Sequence, residues 1–169
     1  MSLSEYFDVQ PADADTVAND LAALGYPGFA YLKSERPKSP EQVLLSALSC
    51  SYLQSRAVEA LPWLLLKYSD LNWPTLINAA TAKRLQNKLG FVTCLARKVA
   101  ESRGETDIAE VLRNQERVLE RSRLLVEDTL CNDSLTLSER RWLESNRTDD
   151  AKNWRLLTDV SPEHLSYAF

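Results

Sequence analysis

The sequence predicts an all-α, single-domain bundle of five to seven helices, with a helix-turn-helix-like hairpin and an irregular C-terminal tail. Three observations lead to this fold class. The chain has 169 residues, of which 44% are hydrophobic, and that suffices for one core of ordinary size. Its 4 Gly residues leave little material for an architecture built on tight β-turns. Apolar residues recur at helical spacing between recognisable caps along most of the chain.

Residues 1–38 are predicted to form an N-terminal segment with one short helix. Asp15 precedes a short amphipathic stretch and Gly25 follows it, as a helix cap and a C-terminal stop would. The stretch Phe29–Leu32 lies in a region punctuated by proline and glycine, and we predict that it is extended.

Residues 39–156 are predicted to form the helical core. Ser39, Pro40 and Gln42 make a strong helix opening, because a hydroxyl cap, a proline in the first turn and a capping-box partner occur together. A second helix should run from Arg56 to Lys67, and it is apolar around most of its circumference, as in a central bundle helix. We expect Pro62 to kink or break this helix near Leu61.

A third helix is predicted from about Pro74 to Ala82, and a fourth from about Arg84 to Ser102. The very short connection between them, Thr81–Lys83, is the layout of a helix-turn-helix. The fourth helix carries its apolar residues on one stripe. Gly90 falls on the opposite, polar side, where a close approach by another backbone would explain it.

The longest predicted helix runs from Glu105 to about Leu130, because its apolar residues keep a seven-residue rhythm. Two interpretations stay open: the helix packs on its own bundle, or it pairs with another chain. Short helices should follow at Glu139–Ser145, with Trp142 and Leu143 facing inward, and at Ala151–Leu156.

The tail, residues 157–169, lacks sustained periodicity although it contains several large apolar residues. Such a segment orders itself only by docking on a surface. That surface belongs either to its own chain or to a partner.

Charge is unevenly distributed in a chain whose net charge is −4. Residues 83–103 hold 6 basic and 1 acidic side chains, which fits either contact with phosphate or a solvated helix flank. Residues 104–169 hold 9 basic and 14 acidic side chains, which fits the cationic surface of a partner protein. The longest uncharged apolar run, Ala60–Leu66, is far shorter than the roughly 20 residues of a membrane span.

The 3 Cys residues are odd in number and lack CxxC spacing, so we predict a reduced, cytoplasmic protein. The first residues also lack the pattern of a signal peptide. His164 is the only histidine and has no second ligand at metal-binding spacing. Phosphate-loop and nucleophile-elbow motifs are missing as well. We therefore predict no metal, no cofactor and no enzymatic activity, with an unrecognised active site as the alternative.

The start of the fourth helix is the candidate DNA-binding site. Amide side chains can read adenine edges, while arginine and lysine can read guanine or bind phosphate. The residues are Lys83, Arg84, Gln86, Asn87 and Lys88. The same pattern also fits an ordinary helical hairpin.

Large aromatic residues of the acidic C-terminal third are the candidate partner-binding anchors, since such residues dominate the affinity of many interfaces. They are Trp142, Trp154, Tyr167 and Phe169.

Several short motifs also suggest a relationship. They are Ala60–Leu65 (ALPWLL), Asp70–Trp73 (DLNW), Leu85–Phe91 (LQNKLGF), Arg141–Leu143 (RWL), Asn153–Trp154 and Leu157–Asp159 (LTD). In these motifs the chain resembles a family of small bacterial helical proteins that act as transcriptional regulators or antitoxins and are encoded beside nucleotidyltransferase-type toxins. The resemblance covers most of the chain from about residue 40 and rests on packing and capping residues.

This resemblance implies a binding protein that neutralises a partner protein, such as a basic toxin-like enzyme, and that represses its own operon by binding operator DNA. A helical adaptor or structural subunit without a nucleic-acid role is the alternative. The oligomeric state stays open.

Overall fold

The computed structural model describes residues 3–32, 36–165 and 167. The chain is mostly helical, so the predicted all-α class is confirmed. The helices are α1 (Leu3–Phe7), α2 (Ala14–Ala23), α3 (Pro40–Leu48), α4 (Ser55–Lys67), α5 (Trp73–Ala82), α6 (Gln86–Ser102), α7 (Thr106–Glu120), α8 (Leu137–Asn146) and α9 (Asp149–Asn153). None of these helices is long and apolar enough to cross a membrane.

The remaining regular structure is short. Strands β1 (Asp128–Thr129) and β2 (Leu156–Leu157) form a parallel pair, and 3-10 turns occur at Pro27–Phe29 and Pro162–His164. The extended structure predicted for Phe29–Leu32 is therefore wrong. The Leu32 amide donates to the Phe29 carbonyl at 3.0 Å, so this stretch coils instead of extending.

The N-terminal segment packs into the same core as the rest of the chain. It holds α1 and α2 rather than one helix, and Asp13, not Asp15, caps α2 by accepting from the Thr16 amide at 2.7 Å. Leu21 of α2 and Leu165 of the tail are both buried in one apolar cluster with the core helices. The segment, the helical core and the tail thus share a single core.

Pro62 lies inside α4, which continues without a break to Lys67. A proline removes one helical hydrogen bond. Nevertheless α4 is buried on most of its circumference, and tertiary packing of this kind supplies most of the stability of a helix in a protein. Packing therefore keeps both halves in one helix.

Helix α6 is buried on both of its faces. Its predicted apolar stripe, which includes Leu89, Val92 and Val99, is fully buried. Its polar side is covered too, because the chain after α7 runs back along it. The resulting contacts join Asn87 to Leu124 and Lys98 to Asp150.

Gly90 lies under this cover, where a β-carbon would overlap the indole ring of Trp154. Trp154 is only 1% exposed. The close approach that Gly90 permits is thus made by a side chain and not by another backbone.

Helix α7 ends at Glu120, about ten residues before the predicted end. Ser122 and Arg123 close short turns on Leu119 and Glu120, and the chain then leaves the helical path. Leu125 and Val126, which the seven-residue rhythm places on a buried stripe, are exposed. Contacts with α6 override the local helical pattern here.

The last two helices differ in their limits from the prediction. A capping box of Thr136 and Glu139 starts α8. Thr148 caps α9, which ends before Trp154, and Arg155 then takes a positive φ of 56° that turns the chain into β2. The predicted helix Ala151–Leu156 is therefore replaced by an earlier helix and a strand.

Replacing Gly90 with alanine should destabilise the fold. The extra methyl group meets the buried indole ring, and overpacking of this kind costs about 1–3 kcal/mol. Urea denaturation measures the change. Helix propensity alone predicts that alanine raises the free energy of unfolding, by up to about 1 kcal/mol. A variant more stable than wild type would therefore contradict the contact between position 90 and the ring of Trp154. In a double-mutant cycle with Trp154→Phe, the two losses should be less than additive.

Candidate partner-binding site

The structure splits the predicted DNA-binding residues into two groups. Gln86 and Asn87 are buried, and their side-chain amides bind the backbone of the segment that follows α7. Asn87 donates to the Leu124 carbonyl at 2.9 Å and accepts from the Leu124 amide at 2.8 Å. Gln86 donates to the Ser122 carbonyl at 3.1 Å. These amides act as backbone partners inside the fold and do not face solvent.

Lys88 belongs to the same buried group, and its ammonium lies 3.6 Å from the Asp128 carboxylate. Lys83 is half-buried and Arg84 is exposed. Arg84 has a φ of 57°, so it takes the left-handed conformation that the missing turn glycine would otherwise supply. The prediction that this helix start reads base edges therefore fails for Gln86, Asn87 and Lys88, since their side chains are already bonded within the chain.

The predicted aromatic anchors are also separated. Trp154 is buried against Gly90, so it belongs to the core. The hydroxyl of Tyr167 donates to the Glu59 carbonyl, and burial raises the pKa of this phenol above its ordinary range. The described part of the tail thus docks on its own chain. Phe169 lies outside the described residues.

Trp142 is the predicted anchor that remains at the surface, with 56% of its area exposed. The sequence predicts that it faces inward together with Leu143, and the structure confirms this for Leu143 alone. The two residues are neighbours on α8 and project about 100° apart around the helix, and only the side of Leu143 is covered by other elements.

Trp142 lines an open cleft of about 340 Å³ between three separate parts of the chain. One wall comes from the start of α4, the second from the loop before α8 and from α8, and the third from the stretch after β2. The other lining residues are Leu53, Ser55, Val58, Leu130, Asn132, Leu135, Glu139, Leu143, Leu157, Thr158, Asp159 and Val160.

Short backbone bridges hold these walls together. Tyr52 and Asn132 form an isolated antiparallel bridge, and the Leu53 amide donates to the Cys131 carbonyl at 2.9 Å. Arg147 reaches from the end of α8 to the Leu156 carbonyl at 3.1 Å. The cleft is therefore built by contacts between segments that are distant in sequence.

The charged side chains among the lining residues of this cleft are both acidic, namely Glu139 and Asp159. The Thr136 amide donates to Glu139 at 2.6 Å, and this hydrogen bond lowers the pKa of the carboxyl. Glu139 therefore stays ionised well below neutral pH. An apolar cleft with an anionic rim suits an apolar side chain that is flanked by cationic groups.

The cysteines give no sign of a reactive centre. Cys50, Cys94 and Cys131 are free and buried. Burial raises the pKa of each thiol, in Cys131 to about 12, so none of them is a thiolate at neutral pH. In the described ranges, no group of three or more His, Cys, Asp or Glu side chains is arranged to hold a metal ion.

No protein-family model, curated protein or solved structure matches this chain. The resemblance to helical regulators and antitoxins accordingly stays a prediction.

The sequence names Trp142 as a candidate anchor but gives no sign of the cleft beside it. The sequence alone gives Leu53, Val58, Leu157 and Val160 as ordinary apolar residues of two unrelated segments. An indication that was available is the short turn Cys131–Ser134 between two apolar stretches, but nothing in it says which segment it meets.

Replacing Asn87 with alanine should loosen the segment after α7. The change removes two hydrogen bonds and leaves the amide and carbonyl groups of Leu124 unpaired, which costs about 2 kcal/mol. Chemical denaturation measures the loss, and hydrogen exchange at the Leu124 amide should accelerate. Lys83→Ala is the matched control, and we expect it to change the stability little. Equal effects of both substitutions would contradict this role of Asn87.

The thiols should be protected in the folded chain. A thiol reagent at pH 8 should label the cysteines slowly in the native protein and all 3 rapidly in urea.

The pKa of Cys131 is raised from 9.0 to about 12, so between these values the folded state holds a proton that the unfolded chain has lost. The free energy of unfolding should therefore fall as the pH rises through this window. A Cys131→Ala variant should show a smaller fall, and an identical pH profile would contradict the assignment.

Proposed function

We propose that this protein is a binding protein, antitoxin-like in its action, which holds a segment of a partner protein in the cleft beside Trp142. The observation that carries the proposal is an exposed tryptophan on the edge of an apolar cleft whose charged lining residues are acidic. Tryptophan is the residue type most enriched at the energetic centres of protein interfaces.

Burying the exposed face of Trp142 under a partner contributes a large share of the free energy of binding. Aromatic side chains bury 150–250 Å², and about half of this one is exposed, so covering it contributes about 2–3 kcal/mol. In the free protein the same ring is in contact with water. A partner that covers it therefore gains this free energy without first breaking a contact of the fold.

The chemistry of the cleft selects its occupant. A volume of about 340 Å³ lies at the small end of ligand pockets and fits one or two side chains. Leu53, Val58 and Val160 favour an apolar group, while Glu139 and Asp159 favour lysine or arginine beside it. We therefore expect the partner to present an apolar side chain within a basic surface.

A toxin-like enzyme with a basic surface fits this description, since substrate phosphate is commonly bound by arginine and lysine. The protein neutralises such a partner by covering that surface, and it needs no catalytic group of its own. DNA recognition is not part of the proposal, because Gln86, Asn87 and Lys88 are bonded within the fold.

Trp142→Ala should weaken partner binding at least tenfold and leave the fold intact, because it removes about 2 kcal/mol of contact from a side chain outside the core. The test co-expresses the chain with the protein encoded beside it and measures the affinity by calorimetry. Leu125→Ala is the matched control, since Leu125 is 71% exposed and lies outside the cleft. Inhibition of the partner's activity separates an antitoxin from an adaptor that binds without neutralising.

Charge reversal at Asp159 tests the rim of the cleft. Asp159→Lys should slow association with the basic partner, and the difference from wild type should shrink at high salt. Unchanged affinity in both Trp142→Ala and Asp159→Lys would remove the cleft as the binding site.

A further inference from the structure

Helix α7 has a second, mostly apolar stripe beside the face that it buries in the core. Ala109, Leu112 and Leu119 are buried and form its inner face. The second stripe consists of Ile108, Val111, Gln115 and Val118, at successive spacings of three, four and three residues. That is the spacing of the a and d positions in a coiled coil. We call these four residues the outer stripe.

The outer stripe is open to solvent. Val111 is 44% exposed and Val118 is 39% exposed, while Ile108 and Gln115 are half-buried. Beside its N-terminal half lies an apolar groove of about 230 Å³, lined among others by Leu65, Tyr68, Trp73 and Ile108. The apolar surface therefore extends from α7 across to the C-terminal end of α4 and the N-terminal end of α5.

Four surface charges of α7 and its C-terminal cap are placed with the acidic pair first and the basic pair last. Asp107 and Glu110 lie in its N-terminal half, and Arg117 in its C-terminal half, with Arg121 directly after the last turn. All four are exposed, and none makes an ion pair with another residue of the described ranges. Arg113, by contrast, is paired with Glu101.

We propose that the outer stripe pairs, in antiparallel orientation, with the same stripe of a second copy of this chain. In this arrangement Ile108 packs against Val118 of the second copy, and Val111 packs against Gln115 of the second copy. A twofold axis near the middle of α7 repeats both layers, as in an isologous dimer.

The same register brings opposite charges together. In an antiparallel pair with these layers, the g positions of the two helices face each other beside the apolar seam. Asp107 then faces Arg121 of the second copy, and the twofold axis generates a second such pair. A parallel pair would instead set each g position against an e position of the second copy, so Asp107 and Arg121 would not meet.

This complementarity commits the stripe to a second copy. A heterologous partner needs no relation between the two halves of α7, whereas a twofold pair requires opposite charges at matching distances from its axis. The helix dipole also favours acidic residues at the N-terminus and basic residues at the C-terminus. Because the dipole by itself accounts for the order of the charges along α7, that order is not a test of the dimer. The test must detect pairing between two chains.

Charge-swapped variants of the full chain supply that test, with sedimentation equilibrium as the measurement. Wild type should form a concentration-dependent dimer. Asp107→Arg and Arg121→Asp should each weaken it about tenfold or more, because both symmetric pairs become repulsive. A mixture of the two variants should associate again, since each chain then faces opposite charges at both sites. The double variant Asp107→Arg/Arg121→Asp should also dimerise.

The controls separate pairing from misfolding. Arg141→Asp changes an exposed arginine on α8 by the same charge and should leave the dimer unchanged. Circular dichroism checks that every variant is folded. A wild-type chain that stays monomeric up to roughly 1 mM overturns the proposal. Variants that dimerise like wild type overturn it as well, and so does a mixture that fails to associate. The proposal does not depend on the cleft beside Trp142, which other elements line.

Discussion

The burial of the polar side of α6 is the constraint on which the rest of the structure depends. A helix with one apolar stripe normally leaves its other side in water. Here the chain after α7 returns along that side and supplies partners for its polar groups: Asn87 binds the backbone of Leu124, Lys88 meets Asp128, and the half-buried Lys98 meets Asp150. Gly90 leaves the space that the ring of Trp154 fills. Removing any of these partners would leave a polar group without its hydrogen bond, and that costs about 1–3 kcal/mol for a buried group.

The chain that follows α7 and packs on α6 also determines which surfaces stay exposed. It occupies the start of α6, where a helix-turn-helix protein would present its reading residues. It draws Trp154 into the core and thereby brings β2 next to β1. The stretch after β2 then becomes one wall of the cleft beside Trp142. The same packing thus covers the start of α6 and forms one wall of the cleft.

A binding protein needs a site whose shape is settled before the partner arrives, because ordering it afterwards reduces the affinity. The cleft meets this need through backbone hydrogen bonds, such as that between Leu53 and Cys131, and through the capping box that starts α8. The outer stripe of α7 is a different kind of surface, since it lies on a single rigid helix. A chain with both would bind its partner through one face and its own copy through another.

The sequence by itself determined the helical class, the Ser39 cap of α3 and the buried stripe of α6, because caps and apolar periodicity act within a few residues. It also named Trp142 as a candidate anchor, but on equal terms with Trp154, Tyr167 and Phe169. Only the tertiary structure decided that α7 stops at Glu120, since the amide of Asn87 competes there for the backbone of Leu124. The exposed position of Trp142 and the cleft beside it were likewise decided by segments more than 70 residues apart, as Leu53 and Leu130 are. Periodicity along the chain carries no information about such contacts.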